Sequence, residues 1–341
     1  MRKGLHSPAA ALAGRLCRLV AALLLLTVAG SAAVAQGPTL DELLSGVVHV
    51  KTVINPDART GENLGRERSG SGIVIDNDGL ILTIGYLMLE AHAAEVTTND
   101  GRTVPANVLG YDHDSGFGLL RAMQPLKVRP LPLGKSAGVQ EDERLLVASY
   151  GGPAMVAPVK VVSRREFAGS WEYLLDDAIY TSPPHPAWSG AALINREGKL
   201  VGVGSLIMAD VSEESAVLPG NMFVPIDHLS PVLAELIADQ TPARPPRPWL
   251  GINTEQVAGR LVVSRVTAGG PAEKAGVQQG DIVLGVDEQS ATGLADFYRK
   301  LWAKGSAGVT VTIDVEQDGR KRSIAVKSMN RRDHLKLKST F

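Results

Sequence analysis

The sequence predicts a mainly β protein of two domains. Short apolar runs recur between Gly-rich turns from Val47 to Pro225, a proline-rich break follows at 240–248, and a shorter unit of mixed helices and strands comes after it. Short strands at regular spacing with turn signals between them mark a β-barrel or sandwich. A length of 341 residues suits two domains that each bury a core, and 44% hydrophobic residues exclude a disordered chain.

Residues 1–35 are expected to be a secretory signal. Arg2, Lys3, Arg15 and Arg18 lead into an apolar stretch at 20–29, and Ala33-Val-Ala35 offers a small-x-small cleavage site before Gln36. The apolar stretch is short for a membrane span, which makes an uncleaved N-terminal anchor the alternative. Cleavage removes Cys17, the only cysteine, together with four basic residues and no acidic one. The remaining chain is mildly acidic and has no thiol chemistry. It offers no electrostatic footprint for nucleic acid.

The first domain, 36–239, is expected to open with a short helix at Leu40–Leu44. Strands are then expected at 47–54, 72–75, 80–83, 94–98, 103–109, 118–123, 144–149, 156–162, 191–194, 200–205 and 222–225. The Asp76-Asn-Asp-Gly79 turn joins the second and third as a hairpin. Apolar residues at helical spacing from His228 to Ala238 close the domain. Residues 240–248 hold four prolines and predict a semi-rigid linker. The second domain, 249–330, has strands expected at 261–266, 282–286 and 309–315 and a helix at 293–302. The basic tail, 331–341, is expected to be mobile.

Several chemistries lack their residues. Without a His-Glu-x-x-His or a cysteine pair, no metal site and no cofactor are expected. Gly134-Lys-Ser136 is similar to the end of a phosphate loop, but Arg129 stands where the leading glycine is needed. Two other segments are more specific. Trp188-Ser189-Gly190-Ala191 is a small-residue turn entering an apolar strand, the setting a nucleophilic serine needs, although Ser-Gly turns of this kind are also common as structure alone. The run Gly269-Gly-Pro-Ala-Glu-Lys-Ala-Gly276, followed by Gly280-Asp-Ile-Val-Leu-Gly-Val286 and the 293–302 helix, resembles the PDZ domain.

With that domain identified, the chain resembles the HtrA/Deg-type serine proteases: a signal, a trypsin-like double β-barrel, then a C-terminal PDZ domain. Gly70-Ser-Gly-Ile-Val-Ile-Asp-Asn-Asp-Gly-Leu-Ile-Leu-Thr83, Leu131-Pro-Leu-Gly-Lys-Ser136 and Asn195-Arg-Glu-Gly-Lys-Leu-Val-Gly-Val203 are similar to three family blocks in the same order. The resemblance implies a catalytic Ser, His and Asp, and only Ser189 matches. The His position is Tyr86 in Thr83-Ile-Gly-Tyr86, the Asp position is Gly116, and the oxyanion-hole glycine is Ala187. Tyrosine, with a pKa near 10, is a poor proton acceptor at neutral pH, and glycine orients no base.

Substitute bases are His92, expected on a following helical turn, and His113 and His185, expected as surface or loop polarity. Asp112 and Asp114 flank the lost Asp position. The PDZ resemblance implies a peptide groove in which Leu250, Gly251 and Ile252 hold a C-terminal carboxylate, Asn253 and Thr254 begin the edge strand, and Phe297 and Leu301 line the helical wall unless they belong to the core. The expected function is an exported pseudoprotease that binds unfolded or C-terminal peptides of envelope proteins as adaptor, regulator or holdase. The alternatives are an active endopeptidase with an unconventional triad and a regulatory subunit of an active homologue. The family's assemblies imply a homo-oligomer or a hetero-oligomer with such a homologue. The terminal Ser339-Thr-Phe341 resembles a PDZ ligand.

Overall fold

The computed structural model describes Met1 and residues 39–212, 216–238 and 244–337. The expected signal, its cleavage after Ala35 and the Phe341 terminus lie outside the described residues. Residues from Thr39 onward form one compact unit.

Helix α1 (Leu40–Ser45) starts at a reciprocal cap, in which Thr39 accepts from the Glu42 amide and Glu42 accepts from the Thr39 amide. Six strands then close a barrel: β1 (Val47–Ile54), β2 (Glu67–Val74), β3 (Leu80–Ile84), β4 (Ala91–Thr97), β5 (Thr103–Tyr111) and β6 (Phe117–Ala122), in the spatial order β1-β2-β3-β6-β5-β4. The predicted hairpin between β2 and β3 forms because Asp76 Oδ1 accepts from the amides of Asp78 and Leu80, at 2.9 and 2.8 Å. A helical turn, α2 (Gly61–Leu64), lies in the loop before β2.

A second barrel contains β7 (Arg144–Ala148), β8 (Val156–Gly169), β9 (Tyr173–Ser182), β10 (Ala192–Ile194), β11 (Leu200–Met208) and β12 (Gly220–Pro225), closed in the order β10-β11-β12-β9-β8-β7. Closure pairs every strand on both sides and leaves no open edge. One apolar cluster runs through both barrels, from Leu82, Phe117 and Leu119 to Tyr180, Ile194 and Val224. It buries the seam where the barrels meet, and the serine turn sits on that seam.

The third unit is a sheet ordered β13-β14-β15-β17-β18, built from β13 (Ile252–Val257), β14 (Arg260–Val266), β15 (Ile282–Val286), β17 (Thr310–Gln317) and β18 (Arg320–Lys327), with the two-residue β16 (Gln289–Ser290) on β15. Helix α5 (Leu294–Trp302) buries Phe297, Tyr298 and Leu301 against it. The helices α3 (Leu233–Ile237), α4 (Pro271–Ala275) and α6 (Arg331–His334) complete the described elements. No helix among the described residues is long and apolar enough to cross a membrane.

Four expectations need correction. The hairpin β8–β9 was not expected beyond Val162; it extends the strand to Gly169 and adds a ten-residue return strand. The closing helix is shorter than 228–238, reduced to a turn at Ile226–His228 and α3. His92 lies exposed on β4, not on a helical turn. The tail is docked as far as it is described: Arg331 donates to the Trp171 carbonyl at 2.8 Å, the Lys336 amide donates to Glu90 Oε1, and His334 packs on Trp249 at 4.9 Å between ring centroids. The described part of the linker is likewise held. Arg244 pairs with Asp112 and Asp114, and Arg247 stacks on Trp302 at 4.3 Å.

Candidate functional site

The serine turn is built by close backbone approach between the barrels. Ser189 C=O accepts from the Ser71 amide of β2 at 2.8 Å, and the Gly190 amide donates to Gly204 C=O of β11 at 2.9 Å. Gly190 has φ +72°, and a Cβ there would lie 1.9 Å from Ser71 O. Only glycine lets the turn pass this close, and the result presents the Ser189 hydroxyl, half-exposed, in a cleft that Arg68, Tyr86, Tyr150 and Trp188 also line.

Tyr86 faces that hydroxyl. It lies on a single helical turn, Gly85–Leu87, after β3. The Gly85 amide donates to Gly116 C=O at 2.7 Å, which brings the three positions expected for the triad, 86, 116 and 189, together. The buried Arg68 guanidinium donates to the carbonyls of Tyr86 (2.7 Å) and Leu89 (3.0 Å), and Thr52 Oγ1 donates to Leu87 C=O, which fixes the turn. The Tyr86 hydroxyl donates toward Ser189 Oγ at 2.9 Å and Ser205 C=O at 3.1 Å. Burial pushes its pKa up to about 12, despite the bond to Ser189. A phenol held this far above neutral pH stays protonated, and its neutral oxygen is too weak a base to take a proton from serine.

The other positions around Ser189 are also engaged. The Ala187 amide, the expected oxyanion donor, donates to His185 Nδ1 at 3.2 Å, inside its own loop. His185 itself is buried, beside Ser149 Oγ at 3.4 Å, and burial lowers its pKa; it is not surface polarity. Gly116 has φ +80°, and a Cβ there would stand 3.1 Å from the Tyr173 hydroxyl, which donates to Ser115 C=O. Asp112 caps the same loop by accepting from the Ser115 amide.

His113 is likewise not a surface residue. Its ring lies between Tyr111 Oη (3.0 Å), Glu172 C=O (3.1 Å) and the Arg331 guanidinium (2.8 Å), and burial holds its pKa well below the usual histidine range. Among the described residues, Ser189 Oγ has Tyr86 as its side-chain partner and no imidazole or carboxylate.

The PDZ loop is formed, and it is filled. The amides of Leu250 (2.9 Å), Gly251 (2.7 Å) and Ile252 (3.1 Å) all donate to the carboxylate of Glu172, at the tip of β8–β9. Gly251 has φ +81°, which turns its N–H toward the same point as its neighbours'. Asn253 Oδ1 accepts from Arg265. Phe297 and Leu301, offered for the groove wall, are fully buried in the PDZ core. The helical side of the groove is walled instead by Gly293, Leu294, Ala295, Asp296 and Arg299, facing Thr254 and Gln256 of β13. The physical reason is the register of α5: Phe297 and Leu301 are four apart and share the stripe turned to the sheet.

Sequence reasoning missed Glu172, Tyr173 and Tyr298. Gly169-Ser170 is the turn signal for the hairpin that carries Glu172 and Tyr173, but Arg164-Arg-Glu166 and Asp176-Asp177 interrupt the alternation that marks strands; Tyr298 lies on the expected 293–302 helix.

Two closed six-stranded barrels with a serine turn on their seam, followed by a sheet with a carboxylate-binding loop, define a trypsin-like peptidase fold carrying a PDZ domain. Residues 70–203 match the trypsin-like peptidase domain family, and residues 248–328 match the PDZ domain family. The chain is 30% identical to "Protease Do-like 1, chloroplastic" of Arabidopsis thaliana over 283 residues, 76% of this chain and 63% of that one. It is 26% identical to "Probable periplasmic serine endoprotease DegP-like" of Hahella chejuensis over 273 residues, 76% of this chain and 56% of that one. It therefore spans less than two thirds of either relative. A solved structure, "HtrA-type protease AlgW with tripeptide", shares the fold at a TM-score of 0.52 and 19% identity, covering 85% of this chain and 96% of that one. In domain order and in sequence the chain is similar to these Do-like and DegP-like serine proteases.

Proposed function

We propose that the chain is an exported HtrA-like pseudoprotease whose work is to bind exposed or C-terminal peptide segments of envelope proteins through its PDZ domain, as adaptor, regulator or holdase. The observation that carries this reading is the Tyr86–Ser189 contact. The group beside the nucleophile is a phenol whose pKa is pushed up to about 12; it stays neutral at pH 7, and a neutral phenol oxygen is too weak a base to take the serine's proton. The Ala187 amide turned to His185 and the missing side chain at Gly116 add to it. Removing any triad member leaves only the ~10³–10⁴-fold acceleration over water that comes from the oxyanion hole and binding. The names of the relatives supply the export and envelope parts of the reading, since a DegP-like relative is called periplasmic. A neighbour of the same fold is described with a bound tripeptide, which favours peptide as the ligand class.

The test is fluorophosphonate labelling of the full chain, with cleavage of unfolded casein followed alongside and Ser189→Ala as the reference. Labelling and cleavage at the level of Ser189→Ala are expected. Ser189-dependent labelling with turnover would overturn the reading in favour of an active endopeptidase.

A further inference from the structure

We propose that the tip of the β8–β9 hairpin, Ser170–Glu172, is an intramolecular ligand of the PDZ groove, so that a peptide with a free C-terminal carboxylate binds only by displacing Glu172. This rests on the reading of the PDZ domain as a peptide-binding site and adds how that site is controlled.

The tip presents the features by which a PDZ domain recognises a C-terminus. A carboxylate, that of Glu172, receives three backbone N–H groups in the loop Leu250–Ile252. Two residues earlier in the tip, Ser170 C=O accepts from the Thr254 amide at 2.9 Å, and Thr254 lies two residues beyond Ile252. Alternate residues of an added strand pair in this way with an edge strand. The same hairpin adds apolar contact, since Leu174 and Ala168 pack with the PDZ core residues. Tyr298 of α5 closes the arrangement from the other side. Its hydroxyl donates to Gly169 C=O at 2.7 Å and accepts from the Glu172 amide at 3.1 Å.

Glu172 is 2% exposed and adopts φ +57°, a conformation uncommon for a side-chain-bearing residue, at a turn that could have used glycine. The carboxylate, not the turn, accounts for the residue type. Because loop and tip belong to one chain, the internal ligand holds a high effective concentration. An incoming peptide then sees only the open fraction, and its apparent Kd rises in inverse proportion to that fraction.

The hairpin also couples two places. Tyr173, the next residue, donates to Ser115 C=O beside Gly116 and faces the first barrel, while Glu172 faces the PDZ loop.

The experiment uses the full chain and a probe set of fluorescein-labelled decapeptides ending in Val, Leu, Ile, Phe or Ala, each as free acid and as C-terminal amide. Wild type, Glu172→Ala and Tyr298→Phe are compared, and amide exchange is followed at 250–252. Glu172→Ala is expected to bind the best free acid at least tenfold more tightly than wild type, with Tyr298→Phe between them, amides unbound, and faster exchange at Leu250–Ile252. Tyr298→Phe keeps the test open if Glu172→Ala does not fold. Equal binding of free acids by wild type and both variants would overturn the proposal while leaving PDZ peptide binding intact. Absence of binding by all three, with exchange accelerated in the variants, would overturn the peptide-binding reading and the competition with it.

Discussion

Tyr86 Oη lies 2.9 Å from Ser189 Oγ, where a base would take the serine's proton, and its pKa, pushed up to about 12, keeps it a neutral phenol. The pairing therefore has a structural consequence that can be separated from catalysis. In Tyr86→Phe, Ser205 C=O loses its tyrosine donor and Ser189 loses its side-chain partner. The expected cost is about 1–2 kcal/mol, read as a lower urea midpoint at unchanged m-value. Casein cleavage is expected at the Ser189→Ala level in wild type and Tyr86→Phe alike; cleavage by wild type above that level that Tyr86→Phe abolishes would show that Tyr86 takes part in turnover.

Restoring the family's residues should not restore the enzyme. Gly116→Asp places a side chain at φ +80° with its Cβ 3.1 Å from the Tyr173 hydroxyl. Strain of that kind costs about 1–3 kcal/mol. The double variant Tyr86→His, Gly116→Asp is expected to melt below wild type and to gain no fluorophosphonate labelling, because the Ala187 amide still points to His185. Strong labelling of that variant would mean that base and orienter alone suffice.

Gly190→Ala should be among the most damaging single substitutions. Its Cβ would fall 1.9 Å from a backbone oxygen at φ +72°, so neither atom can yield without parting the barrels. A loss of at least ~3 kcal/mol is expected, measured by urea unfolding. A loss under about 1 kcal/mol would show that the seam is loose.

Stability should depend on pH through Glu172. Burial pushes its carboxyl from an ordinary 4.5 up to about 7, against the opposing pull of the Leu250, Ile252 and Gly251 amides and of Arg331. The other groups facing it are Tyr298 and the neutral His113, which meets its carbonyl. The folded state holds the proton more tightly than the unfolded chain. The contribution is therefore complete below about pH 4.5 and lost as pH rises through about 7, a change of at most on the order of 3 kcal/mol.

Glu172→Gln should flatten the melting-temperature profile between pH 4.5 and 7.5. Glu90 and Asp177, whose pKa values are lowered, act in the opposite sense below pH 4.5. Buried His113 and His185, also lowered, act in that sense up to about 6.5 in both proteins, so the difference between the two profiles reads Glu172. An identical slope in wild type and Glu172→Gln would refute the assignment.

Much of the architecture was legible along the chain because its signals are local. The Asp76–Gly79 turn, the helix from Leu40 and the strand Val47–Ile54 each rest on residues a few positions apart, and each formed as expected. The hairpin β8–β9 was not legible. Its strands carry charged pairs that break alternation, and besides pairing with each other they are fixed by their barrel neighbours β7 and β12. Phe297 and Leu301 could be placed on a helix, but their face was decided by the sheet that the helix covers.

The sequence by itself determined the two-domain order, the β-rich class, the residue types at 86, 116, 187 and 189, and the PDZ loop, since each depends on identity or short spacing. The tertiary structure alone decided what those residues meet. Tyr86 and Ser189 are 103 positions apart, and Glu172 and Leu250 are 78 apart. No local propensity encodes such contacts. They exist because two closed barrels and a docked PDZ domain bury the surfaces between them, and burial obliges each polar group there to find its partner.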